Sequence, residues 1–164
     1  MTTPRILVLS GPNLQLLGMR EPEVYGRTTL HGIHGRLEVV ATELGVSVDC
    51  KQSNAEGDLC TWIGEAGREY AGVLLNAAAL SHTSVVLLDA VLASGVPCVD
   101  VHLSNYHARE EFRRPNLIAR VAVGSICGFG SMSYELGLRA LVAHLERTVV
   151  AFETPQIRGR GGRA

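Results

Sequence analysis

The sequence is short of lysine, of paired cysteines and of long hydrophobic runs, and each shortage excludes a class of protein. Lys51 is the one lysine among 15 basic residues, so Schiff-base catalysis has a single candidate nucleophile. No two of the four cysteines form a Cys-x-x-Cys pair, which argues against a zinc site and is typical of reduced core residues. These cysteines are Cys50, Cys60, Cys98 and Cys127. No apolar run has the length of a signal peptide or a membrane span, so we expect a cytoplasmic protein.

Length and composition predict one globular domain that binds a small molecule. The 164 residues are enough to bury a substantial core; 46% are hydrophobic, 19% are charged, and the net charge is -1. This balance excludes global disorder and argues against nucleic-acid binding through charge. The composition changes only near the end, which predicts a catalytic domain over 1–152 and a flexible basic tail over 153–164. The tail has few arginines for an RNA-binding segment.

Short apolar runs alternate with longer amphipathic patterns along the chain. The runs are rich in Val, Ile and Leu and predict buried strands over 5–9, 46–50, 72–75, 96–101 and 120–126. Apolar residues at helical spacing predict helices over 30–44, 59–66, 84–94 and 131–150. We interpret the pattern as five alternations of strand and helix. It predicts an α/β fold in which helices cover both faces of a parallel sheet through right-handed crossovers.

Polar residues are concentrated directly after the predicted strands. Ligands of open parallel sheets bind outside the carboxyl ends of the strands, which makes these positions the candidates for a site. With the strand order 2-1-3-4-5, the ends of strands one, three and four are adjacent. One cleft could therefore be lined by Asn13, Asn76, His82, His102 and Arg113.

Two acidic residues stand in apolar surroundings. Asp100 precedes His102 by two, so both side chains lie on one face of the strand and the carboxylate could orient the imidazole. Asp89 lies in a helical segment that is apolar on nearly every face, which predicts a helix buried between its own sheet and another subunit. The alternative is that Asp89 occupies a narrow stripe exposed to solvent.

The loop from Ser10 to Gly26 places Tyr25 between Arg20 and Arg27. A tyrosine that acts as a base near neutral pH needs its pKa lowered by roughly 3 units from about 10. Flanking cations can lower the pKa of a phenol, because they favour its charged form. The alternative interpretation is an ordinary surface loop, since Gly-Pro-Asn is common in turns.

Together these residues resemble the type II 3-dehydroquinate dehydratases over nearly the whole chain up to about residue 150. Four motifs appear in the family's order. They are Gly-Pro-Asn-Leu-x-Leu-Leu-Gly-x-Arg-Glu-Pro-x-x-Tyr-Gly from Gly11, Gln-Ser-Asn-x-Glu-Gly from Gln52, Asn-x-x-Ala-x-x-His-Thr-Ser from Asn76, and Val-His-Leu-Ser-Asn-x-x-x-Arg-Glu-x-Phe-Arg from Val101. The resemblance implies a flavodoxin-like three-layer sandwich and a lyase of the shikimate pathway that needs no cofactor and no metal.

The resemblance also implies catalytic roles. Tyr25 would remove the carbon-bound proton next to the ketone of 3-dehydroquinate, and Arg20 would keep Tyr25 ionised. Asn13 would hold a water that stabilises the enolate, and His102, with Asp100 beside it, would protonate the departing hydroxyl. The product of this anti elimination is 3-dehydroshikimate.

Further residues would bind the substrate by the same resemblance. Asn76 and the residues Leu103 and Ser104 would hold the carboxylate, while His82 and Arg113 would bind ring hydroxyls. Asp89 would reach the site of an adjacent subunit in a dodecamer built from trimers. The chain departs from the family's usual residues at Ala77–Ala78 in place of Pro-Gly, at Leu80 in place of Tyr and at Asp100 in place of Glu.

Several alternatives stay open at this stage. The unrelated type I enzymes carry out the same net reaction through a Schiff base, which here would need Lys51. A flavin-binding module would hold the FMN phosphate in the loop from Ser10 to Asn13. The same dehydration could also serve the breakdown of quinate. A Ser-His-Asp hydrolase is disfavoured, because the sequence contains no Gly-x-Ser-x-Gly elbow.

Overall fold

The computed structural model describes residues 2–19, 23 and 27–153. Five parallel strands form a sheet with the order β2-β1-β3-β4-β5, as predicted. The strands are β1 (Arg5–Ser10), β2 (Ser47–Gln52), β3 (Gly72–Asn76), β4 (Cys98–His102) and β5 (Gly124–Cys127). Four helices pack on the sheet: α1 (Leu30–Glu43), α2 (Glu56–Glu65), α3 (Val85–Ser94) and α4 (Met132–Glu153).

The central strands explain why the apolar runs are continuous. β3 and β4 are buried at every position, and β1 is buried from Ile6 onward, because helices cover both of their faces. Successive side chains of β1 serve opposite faces: Ile6 packs with α1 and α4, and Leu7 packs with α2 and α3. The strands at the edges, β2 and β5, are only partly buried.

The parallel register brings the carboxyl ends of the strands to the same end of the sheet, and a cap fixes the start of α3 there. Ser10 pairs with Asn76 across β1 and β3, and His102 pairs with Cys127 across β4 and β5. Ser84 caps α3 by accepting the N–H of Leu87 at 2.9 Å. The polar residues that follow β1, β3 and β4 therefore start from neighbouring positions.

The connection between β4 and β5 corrects the predicted alternation. Residues 103–123 contain three short 3-10 turns, Tyr106–Ala108, Glu111–Arg113 and Ile118–Arg120, and no α-helix. β5 starts at Gly124 and not at residue 120, because residues 120–123 complete and follow the last turn: the N–H groups of Val121 and Ala122 donate to the carbonyl of Ile118, which is fully buried. All four predicted helices are therefore present, but the interpretation as five alternations of strand and helix was wrong, because no α-helix joins β4 to β5.

Other expectations are confirmed only in part. All four cysteines are free, but only Cys98 is buried. In the single chain the outer face of α3 is exposed, with Val85, Val86 and Leu92 between 51% and 60% exposed, so its predicted burial against another subunit stays a prediction. No helix in the described ranges is long and apolar enough to span a membrane. Glu153 ends α4, and the rest of the predicted tail lies outside the described residues.

Candidate active site

A cavity opens at the carboxyl ends of β1, β3 and β4. Seven of the residues predicted from the sequence line it: Asn13, Asn76, His82, His102, Leu103, Ser104 and Arg113. Tyr25 and Arg20 lie outside the described residues. Asp89 is exposed on α3 and does not line the cavity. Among the described side chains, no three His, Cys, Asp or Glu residues group as a metal site requires.

The loop after β1 is held by backbone contacts and amide side chains. The N–H of Gly11 donates to the carbonyl of Asn76 at 2.8 Å, and a Cβ on Gly11 would lie 2.7 Å from the carbonyl oxygen of Ala77. Only glycine fits there. Asn13 adopts the left-handed conformation with φ 69°, and its N–H donates to Asn54 Oδ1 at 3.0 Å. Gln52 Nε2 also lies 3.0 Å from Asn54 Oδ1, which ties this loop to β2.

Asn76 offers a buried donor at the floor of the cavity. Asn76 is 2% exposed, and its Oδ1 accepts the N–H of Ala78 at 3.2 Å. Its Nδ2 makes no hydrogen bond of ordinary geometry among the described residues, although Asn76 lies close enough to the Tyr134 hydroxyl to oppose, in part, the rise in the pKa of that phenol on burial. A buried donor without a well-formed hydrogen bond is costly, so a ligand oxygen that reached this amide would recover part of that cost. Ala78 has φ 52°, a left-handed conformation that favours glycine.

His82 is held in one tautomer by the chain opposite. Its Nδ1 donates to the carbonyl of Pro115 at 2.8 Å, which leaves Nε2 as an acceptor. Burial lowers the pKa of His82 below its ordinary value, and the bond to Pro115 opposes that shift only partly. A neutral ring with a free acceptor nitrogen suits a ligand hydroxyl group.

His102 is oriented by a carboxylate that solvent does not reach. Its Nε2 donates to Asp100 Oδ1 at 3.0 Å, and Asp100 is 0% exposed. Asp100 Oδ2 accepts the hydroxyl of Ser125 at 2.6 Å and the Nδ2 of Asn116 at 2.7 Å. The contact predicted between Asp100 and His102 is confirmed, although Asp is one methylene shorter than Glu.

Sequence reasoning missed four residues around this pair: Tyr106, Arg109, Asn116 and Ser125. Tyr106 and Arg109 line the cavity, and the ring centroid of Tyr106 lies 4.8 Å from that of His102. Arg109 and Arg113 both lie near Glu110, at 3.5 and 2.9 Å. Asn116 and Ser125 carry no local pattern that marks them. The motif that begins at Val101 contains both Arg109 and Arg113, so it could have indicated Arg109 as a second cation.

Two alternatives lose support from the geometry. Lys51 does not line the cavity, and its Nζ lies 5.3 Å from the ring centroid of Trp62. A Schiff base with a ligand in the cavity is therefore out of its reach. Ser10, the hydroxyl that a phosphate site in the first loop would use, is fully buried and lies 3.0 Å from the hydroxyl of Tyr134.

Comparison with known proteins gives a consistent result. The sequence profile described as "Dehydroquinase class II" matches residues 4–142. A 3-dehydroquinate dehydratase of Geotalea daltonii is 50% identical over 143 residues, which cover 87% of this chain and 99% of that protein. One from Brucella canis is 53% identical over 86% of this chain and 90% of its own. The crystal structure of a type II dehydroquinase from Propionibacterium acnes is 40% identical, with a TM-score of 0.83 over 87% of this chain and 98% of that chain.

Proposed function

Because this chain belongs to the class II dehydroquinase family, we propose that the cavity at the ends of β1, β3 and β4 is its active site. The activity of the chain is that of a 3-dehydroquinate dehydratase. The observation that carries the proposal is that Asn13, Asn76 and His102, from three strand ends, line one cavity. Water leaves by anti elimination through an enolate, which gives 3-dehydroshikimate for the shikimate pathway. The breakdown of quinate would use the same chemistry.

The first step needs a base, and Tyr25 is the candidate. Burial raises the pKa of both Tyr70 and Tyr134 to about 12, so neither phenol can serve as a base near neutral pH. The described residues that flank the Tyr25 segment support its role: Leu17 lines the cavity, and a Cβ on Gly18 would lie 3.1 Å from the carbonyl oxygen of Arg27. We assign the role of base to Tyr25 from the family resemblance, and these contacts concern only the described residues on either side of its segment. Arg20 would favour its ionised form.

The enolate and the substrate carboxylate need donors that are already in place. Asn13 holds a water at the enolate oxygen, and the Nδ2 of Asn76 binds the carboxylate with the backbone amides of Leu103 and Ser104. His82 Nε2 accepts a ring hydroxyl. Arg113 binds a second hydroxyl and, with Arg109, makes this wall favourable for an anion.

The second step needs an acid, because hydroxide is a poor leaving group. His102 Nε2 is occupied by Asp100, so the proton for the departing hydroxyl comes from Nδ1 of the imidazolium. Asp100 stabilises that cation and keeps the ring in place. These roles are filled by side chains of the chain itself.

The exposed face of α3 supports an assembly of several copies. Val85, Val86 and Leu92 form an apolar surface around Asp89, which is the composition of a contact between subunits. We therefore propose a dodecamer built from trimers, in which Asp89 is directed to the cavity of an adjacent subunit. A native mass measurement that finds only monomers would contradict it.

Turnover of 3-dehydroquinate tests the proposed function. The product contains a conjugated enone carboxylate, so its formation raises the ultraviolet absorbance. We expect Lys51→Arg to keep this activity and the wild-type protein to form no adduct under borohydride, because Lys51 does not line the cavity. A folded, correctly assembled protein that produces no absorbance change would contradict the proposal, and a borohydride adduct on Lys51 would favour the Schiff-base alternative.

A further inference from the structure

Asn116 joins two parts of the cavity wall from behind. Its Nδ2 lies 2.7 Å from Asp100 Oδ2 and 3.2 Å from the hydroxyl of Tyr106. Its Oδ1 accepts the N–H of Ala119 at 3.0 Å. The residue is 8% exposed and does not line the cavity, so it is shielded from solvent and does not itself contact a ligand there.

We propose that Asn116 is a positioning residue for His102, a role that rests on the function proposed above. Asp100 Oδ1 is used by His102, and Asp100 Oδ2 is held by Asn116 and Ser125. A fully buried carboxylate needs such donors to stay ionised and fixed. Asn116 therefore sets the orientation of the carboxylate, and the carboxylate sets that of the imidazole.

The second N–H of Asn116 supports the same ring from another side. The two acceptors in reach are the hydroxyl of Tyr106 at 3.2 Å and His102 Nε2 at 3.3 Å. His102 Nε2 carries the proton that Asp100 accepts, so it has no lone pair to offer and the N–H goes to Tyr106. The ring of Tyr106 packs edge-on against that of His102, with 4.8 Å between centroids. One amide thus fixes both neighbours of the imidazole.

The amide is suited to this position because it supplies two donors and one acceptor. Aspartate at 116 would keep the shape and the acceptor for Ala119, but it would lose both donors and place a second carboxylate beside Asp100. Like charges at that distance cannot both stay ionised, so one proton would be taken up. Asn116→Asp therefore replaces two N–H donors by at most one O–H donor while it keeps nearly the same side-chain volume.

The test compares Asn116→Ala and Asn116→Asp with Asn105→Ala. Asn105 Oδ1 accepts the N–H of His107 at 3.2 Å, so it also caps a turn of this connection, but it does not touch Asp100. We expect both Asn116 variants to lower kcat about 10- to 100-fold with little change in KM, because a bond to a charged group is lost away from the substrate. The pH profile of kcat should shift in Asn116→Asp. Asn105→Ala should keep both kcat and the profile.

A second measurement keeps the proposal testable apart from catalysis. Ser125→Ala removes the other donor to Asp100 Oδ2, and it should act non-additively with Asn116→Ala. Nitrogen chemical shifts of labelled histidine should show one tautomer of His102 in the wild type and a mixture in Asn116→Ala. If kcat and its pH profile stay unchanged in Asn116→Asp and the tautomer stays unchanged in Asn116→Ala, the proposal is overturned. A wild type without turnover would overturn the function alone, since the tautomer is measured without substrate.

Discussion

The two walls of the cavity are built from different chemistry. The wall after β1 is held by the backbone of Gly11 and by uncharged amides, among them Gln52 and Asn54. The wall after β4 is held by a buried carboxylate and the imidazole that it orients, Asp100 and His102. Both walls position one polar side chain toward the ligand, but among the described residues named here only the pair in the second wall can change its charge.

This difference separates two kinds of catalytic support. Amide donors keep their strength at every physiological pH, which suits the stabilisation of a developing negative charge. A carboxylate and imidazole pair can store a proton and release it, which suits the departure of hydroxide. Substitutions in the wall after β4 should therefore alter the pH profile, and substitutions in the wall after β1 should not.

Tyr25 is the one proposed exception to this difference between the walls, because it would add an ionisable group to the loop after β1. We expect Tyr25→Phe to lower kcat by about 10⁴-fold, because the base that removes the carbon-bound proton is lost while the ring is kept. The matched control is Tyr70→Phe. Tyr70 donates to Asp49 Oδ2 at 2.6 Å away from the cavity, and its loss should leave kcat unchanged. Near-normal turnover of folded Tyr25→Phe would remove this residue from the mechanism.

His102→Ala tests the charged wall directly. We expect kcat to fall by about 10² to 10³-fold, with loss of one limb of its pH profile, because the acid for the departing hydroxyl is gone. His144→Ala is the control, since His144 lies on α4 and does not line the cavity. We expect His144→Ala to keep both limbs of the pH profile. If His102→Ala keeps both as well, His102 is not the acid.

Gln52→Ala tests the uncharged wall. Gln52 Nε2 lies 3.0 Å from both Gln15 Oε1 and Asn54 Oδ1, so its loss should loosen the conformation of Asn13. We expect a decrease in kcat of about 3- to 10-fold, the size of one neutral hydrogen bond, and an unaltered pH profile. Ser53→Ala is the control, because Ser53 donates to Asp58 at 2.6 Å at the start of α2 and leaves the loop untouched. A shifted profile in Gln52→Ala would contradict the division between the walls.

The same division explains how much of the site the sequence could predict. Asn13, Asn76 and His102 follow apolar runs, and the ends of parallel strands converge, so their proximity follows from the pattern alone. Ser125 reaches Asp100 only through the register of β4 with β5, and the sequence misplaced the start of β5. Asn116 stands in an irregular connection without periodicity. The supports behind the site depend on tertiary register, which local patterns do not contain.

The outer face of α3 shows a second limit of sequence reasoning. The apolar pattern predicted a helix buried between its own sheet and another subunit, and in the single chain three of its outward residues are more than half exposed. An apolar pattern predicts that the outer face of α3 is covered, but it does not identify the element or subunit that covers it. Asp89 could therefore be placed on the helix but not in a cavity.

The smallest effect is expected between the two walls, at Ala78. Its φ of 52° costs an alanine about 1 kcal/mol, whereas glycine adopts it freely but loses more entropy on folding. We expect Ala78→Gly to leave the free energy of unfolding unchanged or raise it by up to about 1 kcal/mol. Ala79 has no positive φ, so Ala79→Gly should lower it by about 0.5 to 1 kcal/mol. Chemical denaturation of both variants gives the comparison. Equal losses of stability would mean that the backbone at Ala78 is not strained and that the departure from Pro-Gly at this point costs the chain nothing.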